Sequence, residues 1–421
     1  MSRGYRLAVS GFGEEKMEPR EHSATCLTHC SRRGFLARLG WTGAALLVPD
    51  AAFAASASIA AEDRLFCLGS FDRADKGTLH LAAQRIGRWV RLSSAATQRP
   101  MALAAHPFRP VIYVANGVAM YGHEPRGTVE AFHVDRKNGR LELLARQPLS
   151  LSATEPRSLA VAPDGKNLLV AAFGGGAYNI LSIDASGVPG APSTILKQVG
   201  RGSHASNSSV AHPAAVLFHP RSGWAIGADF GADRLDFLSL QDSGSAVSRR
   251  LQCEPGSGLS ALALDRKGRL AVAIQQLRPA LLSFRATSSG VFVALGSALL
   301  DSVPTAIEFH REQSVVYCAI RGGSRRSLLQ AWRIESTTGE LEKMAAVPVP
   351  AADVRAIYCG RNTLALASER GLLTVALNGA IAAPESVELA ISIPGISSLV
   401  PCRDVREMAL FHLGVGTVNG P

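Results

Sequence analysis

Two short segments have residue types and spacing that suggest chemistry: Ala171-Ala-Phe-Gly-Gly-Gly176 and Asp229-Phe-Gly-Ala-Asp-Arg234. A glycine run can bind phosphate through its backbone N–H groups. This one lacks the Lys-Ser/Thr of a P-loop, which favours a tight turn between strands. Paired carboxylates can divide acid and base roles, but Asp233 beside Arg234 favours a local ion pair or a turn that fixes the surrounding strands.

The sequence predicts no metal and no cofactor. It contains no Gly-x-Ser-x-Gly elbow, no HExxH motif and no EF-hand loop. Five of the seven cysteines lie beyond residue 54, none in a CxxC pair: Cys67, Cys253, Cys318, Cys359 and Cys402. Most lie in apolar runs that are typical of buried small side chains. One disulfide among them is compatible with an oxidising compartment, and the sequence leaves its pairing open.

A repeated unit must position these segments. Each unit has an alternating strand, often ending in a His-Pro or Asp-Gly turn, then an apolar strand, a glycine-containing loop and a third strand. Six units begin at Pro100, Pro156, Pro213, Leu259, Pro304 and Val354. Their period of about 45 to 57 residues is typical of propeller blades, which bury both faces of short strands by radial stacking.

The two ends of the repeat region are also rich in strand-forming residues. Residues 64–94 and 396–418 together are expected to form a seventh blade, in which residues 65–70 pair with a C-terminal strand and leave no open edge. The sequence therefore predicts an all-β, seven-bladed β-propeller as one domain, residues 55–421.

The repeats resemble the seven-bladed lactonase family typified by 6-phosphogluconolactonase, over most of residues 64–380. Residues 171–176 are similar to that family's Ala-Asn-Tyr-Gly-Gly-Gly, and residues 229–234 are similar to its Asp-Leu-Gly-Ala-Asp-Arg. The resemblance implies metal-free lactone hydrolysis, or in one branch muconate-type lactonising chemistry, at the mouth of the central channel. The family's site uses His, Arg and Glu: arginine holds an anionic group, and His or Glu moves a proton.

Carried over residue by residue, the family's site is only partly present. Arg321 matches the family arginine and is expected to anchor an anion, although a solvated loop arginine would look the same. The family histidine is replaced by Ala214, with His212 two residues earlier on the same strand face. His212 is thus a substitute proton-transfer group or a turn-capping residue. The family's Arg-His pair becomes Ser260-Ala261, and its glutamate becomes Gln276.

Composition excludes several classes of protein. With 47% hydrophobic and 19% charged residues, the chain is not disordered. The formal net charge is +10, but lysines and arginines are scattered, and the longest basic cluster, Arg321-Gly-Gly-Ser-Arg-Arg326, is too short for a nucleic-acid tail. We expect no nucleic-acid partner, and either a generally basic surface or a weak attraction for small anionic ligands.

The N-terminus resembles a twin-arginine signal peptide. Ser31-Arg-Arg-Gly-Phe-Leu36 precedes a short apolar stretch, residues 39–48, and a small-x-small pattern at Ala52-Phe-Ala54. The alternative is a surface amphipathic helix. Residues 1–54 are therefore predicted to engage the twin-arginine export machinery, giving a periplasmic or secreted protein. No other apolar stretch reaches membrane-spanning length, so no span is expected in the mature protein.

Two functional interpretations remain open. The first is an exported hydrolase of a small sugar-acid lactone with a partly degenerate site. The second is a non-catalytic propeller that serves as a scaffold or binds a small anionic or lactone ligand at the central channel. The lost family residues predict weak or absent hydrolysis unless His212 substitutes for them. A quinone-dependent dehydrogenase is a third interpretation, with no supporting residue pattern.

Overall fold

The computed structural model describes the region after the predicted signal peptide. The described residues are 59, 63–85, 88–200, 210–221, 223–241, 244–287, 292–323, 326–379, 381–382 and 387–402. All of them belong to one compact unit, Ser56–Pro421. The predicted signal, including Arg32 and Arg33, lies outside the described residues. Within them, no helix has the length and apolar character needed to cross a membrane.

Antiparallel strands form seven sheets, which we number as blades in chain order. Blade 1 contains β1 (Arg64–Phe71), β2 (Lys76–Arg85), β3 (Arg88–Gln98) and β29 (Ile396–Pro401). Blade 2 contains β4 (Pro100–Ala105), β5 (Val111–Asn116), β6 (Thr128–Asp135) and β7 (Arg140–Pro148). Blade 3 contains β8 (Pro156–Val161), β9 (Asn167–Ala172), β10 (Ala177–Ile183) and β11 (Pro189–Lys197).

The remaining blades repeat this plan. Blade 4 contains β12 (Pro213–Phe218), β13 (Trp224–Asp229), β14 (Arg234–Gln241) and β15 (Gly244–Gln252). Blade 5 contains β16 (Leu259–Leu264), β17 (Leu270–Gln275), β18 (Ala280–Ala286) and β19 (Phe292–Leu299). Blade 6 contains β20 (Pro304–Phe309), β21 (Val315–Arg321), β22 (Ser327–Ile334) and β23 (Leu341–Val349). Blade 7 contains β24 (Val354–Cys359), β25 (Thr363–Ser368), β26 (Leu372–Asn378), β27 (Ile381–Ala382) and β28 (Glu388–Ile391).

The ring is closed by both ends of the propeller sequence. Strand β29 is the innermost strand of blade 1 and pairs antiparallel with β1, with Phe66 opposite Pro401 and Leu68 opposite Leu399. The predicted pairing of the two termini, the all-β class and the seven blades are therefore confirmed. Without β29, the inner edge of β1 would present unpaired backbone groups to solvent.

The second strand of each blade is apolar because neighbouring blades cover both of its faces. Every residue of β5 is buried, whereas the outer strand β7 alternates between exposed and partly buried residues. Large side chains fill the spaces between blades: Tyr113, Tyr178 and Tyr317 are completely buried. The Tyr113 hydroxyl donates to the Gly187 carbonyl at 2.8 Å, so the phenol is buried without leaving its polar atom unpaired.

Each inner strand has a β-bulge at its second residue. In all seven inner strands the pairing register shifts by one residue directly after the first pair. A bulged residue leaves the ladder and its side chain is redirected. The skipped residues, which we call the bulge ring, are Met101, Arg157, Ala214, Ser260, Thr305, Arg355 and Ser397. Because the inner strands run in the same direction, this ring surrounds one end of the channel, the channel mouth.

Candidate functional site

The channel mouth contains an aromatic stack between blades 3 and 4. The guanidinium carbon of Arg157 lies 3.2 Å from the centre of the Phe173 ring. The His212 ring is also stacked on Phe173, with centroids 4.7 Å apart and planes inclined by 20°. Both groups cannot occupy one face without overlapping, so they cover opposite faces of Phe173. A cation and an imidazole are thus held on the two sides of one aromatic ring.

His212 is held in one tautomer by its neighbours. Its Nδ1 lies 2.8 Å from the Phe173 carbonyl oxygen, which only accepts hydrogen bonds, so Nδ1 carries the proton. The other ring nitrogen, Nε2, has no hydrogen-bond partner among the described residues. An imidazole that is held through Nδ1 in this way can use Nε2 to accept a proton, as a general base must.

Asp229 fixes the backbone that presents His212. Its Oδ1 accepts from the backbone N–H of His212 at 2.7 Å, of Gly231 at 3.1 Å and of Ala232 at 3.0 Å. Burial raises the pKa of Asp229, while these N–H groups and Arg234 oppose the increase. The carboxylate thus ties the start of β12 to the loop after β13.

The predicted ion pair between Asp233 and Arg234 is wrong, because Arg234 pairs with two other carboxylates. Arg234 lies 2.9 Å from Asp236 and 3.5 Å from Asp229, both completely buried. Asp233 instead accepts from the backbone N–H groups of Gly256 and Gly258, each at 2.8 Å. The alternative expectation, a turn that fixes blade geometry, is confirmed, because Asp233 joins blade 4 to the loop that leads into blade 5.

The triple glycine is a tight inter-strand turn. A Cβ on Gly175 would lie 1.9 Å from the Ser152 carbonyl oxygen, so no larger residue fits. Gly176 has φ +58° and lies against the carbonyl of Ala211, directly before His212. The turn therefore allows close approach between blades and supports Phe173 and His212, as expected for packing rather than phosphate binding.

A second group of arginines surrounds Phe71 on the other side of the mouth. The guanidinium carbons of Arg99 and Arg355 each lie 5.7 Å from the Phe71 ring centre. Asp353 lies 3.1 Å from Arg355 Nε and 4.0 Å from Arg321 Nε. The predicted anion anchor Arg321, 58% exposed, is thereby connected to the bulge ring through Asp353.

Arg99, in the group around Phe71, acts electrostatically on Arg157, in the stack on Phe173. Burial lowers the pKa of Arg157, Glu155 raises it, and Arg99 lowers it further. The guanidinium nevertheless remains charged, because arginine pKa values lie far above neutral pH. We call Arg99, Arg157, Arg321 and Arg355 the arginine arc. It runs from blade 3 through blades 2 and 1 to blades 7 and 6, with His212 at one end and Arg321 at the other.

The positions where the family's other site residues would lie are occupied by groups that cannot transfer protons. Ala214 and Ser260 are members of the bulge ring, and Ala261 follows directly. The Gln276 amide donates to the Pro304 carbonyl at 3.2 Å and so joins blades 5 and 6. The Ser260 hydroxyl is buried with no partner in the described structure. These positions on this side of the mouth therefore carry no charged group.

Sequence reasoning missed Arg157, Arg355 and Arg99. Arg157 and Arg355 occupy the same repeat position as Ala214, one residue after the first residue of the inner strand. Aligning the units with one another would have shown arginines at this repeat position in blades 3 and 7. Among the described residues, no group of three or more His, Cys, Asp or Glu is placed to hold a metal ion.

Comparisons with known proteins agree with this architecture. The family described as "Lactonase, 7-bladed beta-propeller" matches residues 87–357. A putative 6-phosphogluconolactonase from Bacteroides fragilis is 17% identical with TM-score 0.71, covering 80% of this chain and 98% of its own. Pseudomonas aeruginosa periplasmic gluconolactonase PpgL is 17% identical with TM-score 0.68, covering 81% and 99%. At these identities the structures show a shared fold. No match was found among curated protein sequences.

Proposed function

Because the chain belongs to the seven-bladed β-propeller lactonase family, we propose that it binds a small anionic or sugar-acid lactone at the channel mouth and hydrolyses it. The observation that carries this proposal is the stack in which Phe173 holds Arg157 on one face and His212 on the other. The stack supplies an anion-binding group on one side of the ring and a proton acceptor on the other, on residues outside the family's usual positions.

Arg157 is the principal anchor in this proposal. It lies in the bulge ring, and more than a third of its surface is accessible to solvent. Packing on Phe173 limits its conformations before a ligand arrives, so less entropy is lost on binding. A planar guanidinium binds a carboxylate through two parallel hydrogen bonds. The other three arginines of the arc share two carboxylates, Asp75 and Asp353, which leaves a net positive charge that favours the approach of an anion.

His212 is the proposed general base. Its Nε2 takes a proton from a water molecule, whose oxygen forms a bond to the lactone carbonyl carbon. The guanidinium N–H groups of Arg157 favour the negative charge that develops on the carbonyl oxygen. The ring C–O bond then breaks, and the departing ring oxygen takes the proton back from Nε2. Lactone and water give one hydroxy acid, and the imidazole returns to its starting state.

One observation favours the second candidate function, ligand binding without catalysis. Ala214, Ala261 and Gln276 provide no acid or base, and loss of a positioned proton-transfer group costs about a hundredfold to ten-thousandfold in rate. We therefore propose slow turnover, carried by His212 alone. The alternative is that the mouth binds an aldonate or lactone and leaves it intact.

A panel of unphosphorylated aldonolactones separates the two candidates. The purified chain, its His212→Gln variant and its Arg157→Ala variant are assayed for ring opening, and aldonate binding is measured by calorimetry. Arg333→Ala is the control, because Arg333 is an exposed arginine on β22 that is paired with Glu342. Turnover that is lost in His212→Gln with binding retained supports hydrolysis. Binding without turnover in the unaltered chain supports the alternative. Neither binding nor turnover at millimolar lactone overturns both.

We also propose a cellular compartment for this protein. Residues 31–54 have the pattern of a twin-arginine signal, so we propose export to the periplasm or beyond. A phosphorylated sugar lactone is a cytoplasmic compound, which favours an unphosphorylated substrate for an exported protein. PpgL is described as a periplasmic gluconolactonase, and this agrees with an aldonolactone as the first substrate to test.

A further inference from the structure

Two cysteines from opposite ends of the propeller sequence meet in blade 1. The sulfur atoms of Cys67 and Cys402 are 3.5 Å apart, although 335 residues separate them in the chain. Cys67 lies on β1, where it pairs with Val400 of β29. Cys402 directly follows β29, and its N–H donates to the Leu65 carbonyl at 2.8 Å. Both thiols are free.

We propose that Cys67 and Cys402 form a disulfide under oxidising conditions and that this bond fastens the C-terminal strand into the ring. The proposal does not depend on lactone hydrolysis. It resolves the pairing that the sequence leaves open, because among the described residues no other two cysteine sulfurs are in contact.

The strand register supports formation of the bond. Cys402 is two residues beyond the partner of Cys67, so the two side chains are diagonal neighbours on one face of the sheet. Both belong to the same apolar cluster at the interface of blades 1 and 2. The sulfurs are 3.5 Å apart, and a disulfide needs them at about 2.05 Å, so bond formation brings the two side chains about 1.5 Å closer together.

The two thiols differ in solvent exposure, and this difference determines which of them reacts first with an oxidant. Cys67 is completely buried, whereas Cys402 is partly exposed and lines a narrow surface cavity. Arg109 and Arg136 also line this cavity, and their charge favours an anionic oxidant. The hydrogen bond with Cys402, and then burial, raise the pKa of Cys67. Cys402 is therefore the first thiol to react.

The oxidant is a small or protein disulfide, such as oxidised glutathione. The Cys402 thiolate, after losing its proton to solvent, attacks one glutathione sulfur, forms a mixed disulfide and expels a glutathione thiolate. Cys67 then loses its proton, and its sulfur attacks the Cys402 sulfur and expels the second glutathione thiolate. The two thiolates take up the two protons. The protein loses two hydrogens and one oxidised glutathione becomes two reduced molecules.

The test uses the full chain, incubated with oxidised glutathione, alkylated without reductant and mapped by peptide mass spectrometry. We expect one peptide pair joined through Cys67 and Cys402, which disappears after reduction. We also expect the thermal midpoint of the oxidised form to lie about 3 to 6 °C above that of the reduced form. Alkylation of both cysteines after oxidation, or a stable mixed disulfide on Cys402, would overturn the proposal.

Cysteine variants show whether the rise in thermal midpoint comes from the Cys67–Cys402 bond or from oxidation elsewhere in the chain. In Cys402→Ser, the midpoint should become insensitive to glutathione, whereas Cys253→Ser, which alters a half-buried cysteine in blade 4, should keep the full shift. If Cys402→Ser fails to fold, the proposal is tested by Cys67→Ala, in which Cys402 should then stop at the mixed disulfide. Crosslinking of Cys402 to another cysteine in the unaltered chain counts against it.

Discussion

The guanidinium carbon of Arg157 lies 3.2 Å from the centre of the Phe173 ring, on the face opposite His212. Cation–π contact with an aromatic face is typically worth about 0.5 to 2 kcal/mol, so it orders a side chain that stays accessible at the channel mouth. The structure therefore places a fixed positive charge where the family pattern alone would place none.

Arg157→Ala should weaken aldonate binding by about tenfold to a hundredfold, since a hydrogen bond to a charged group is worth about 1.5 to 3 kcal/mol. Calorimetric titration at low salt measures the effect, with Arg333→Ala expected to bind as the unaltered protein does. Equal affinities for Arg157→Ala and the unaltered chain would remove Arg157 from the site.

Arg234→Ala should destabilise the fold by about 3 to 5 kcal/mol, because it leaves Asp229 and Asp236 buried without their shared cation. Urea unfolding followed by tryptophan fluorescence gives the difference in free energy of unfolding. Arg269→Ala is the control: Arg269 is exposed and pairs with Asp265 at 3.7 Å, and its loss should cost at most about 1 kcal/mol. Similar losses in both variants would contradict this account of the buried cluster.

Removing residues 396–421 should expose the inner edge of β1 and cause aggregation, because β29 is the only strand that covers this edge in the described structure. Removing residues 403–421 alone keeps β29 and is the matched control. Light scattering and thermal melting compare the two. A soluble shorter chain that melts with the control would show that closure does not depend on β29.

Glu308, on inner strand β20, should make stability depend on pH. Burial raises its pKa from the ordinary value of 4.5 to about 7, against the Phe309 backbone N–H and Arg311. Between pH 4.5 and pH 7, Glu308 is ionised in the unfolded chain but keeps its proton in the folded chain. The free energy of unfolding therefore falls as pH rises from 4.5 to 7, by up to about 3 kcal/mol and less where channel water reaches the group.

Glu308→Gln removes this titration, so its stability relative to the unaltered protein should increase across that pH range. Glu312→Gln, which changes an exposed carboxylate on the next turn, serves as the comparison. Denaturant unfolding at a series of pH values measures both variants. Parallel pH profiles for Glu308→Gln and the unaltered protein would be incompatible with a raised Glu308 pKa.

Replacing Arg32 and Arg33 together by lysine should leave the precursor in the cytoplasm, since the receptor reads the guanidinium pair. Fractionation followed by immunodetection reports the distribution. A double substitution of Lys16 and Arg20, earlier in the leader, is the control and should not change it. Unchanged export of the twin-arginine variant would refute the signal assignment.

The amino-acid sequence by itself determined the blades. The six expected inner strands begin at the same residues as the observed ones: Pro100, Pro156, Pro213, Leu259, Pro304 and Val354. This succeeded because strand period, turn residues and burial of the second strand are local properties of each repeat. The pairing of β1 with β29 was also predictable, since a propeller that left that edge open would be unstable as a monomer.

Only the tertiary structure decided which side chains meet. Arg157, Phe173 and His212 come from two blades, Arg355 reaches the same mouth from blade 7, and Cys67 meets Cys402 through ring closure. A one-residue bulge redirects a side chain, but it changes neither the composition of the sequence nor the period of its repeats. Partners that depend on how blades pack around an axis are set by long-range geometry, which the spacing of residues along one chain does not contain.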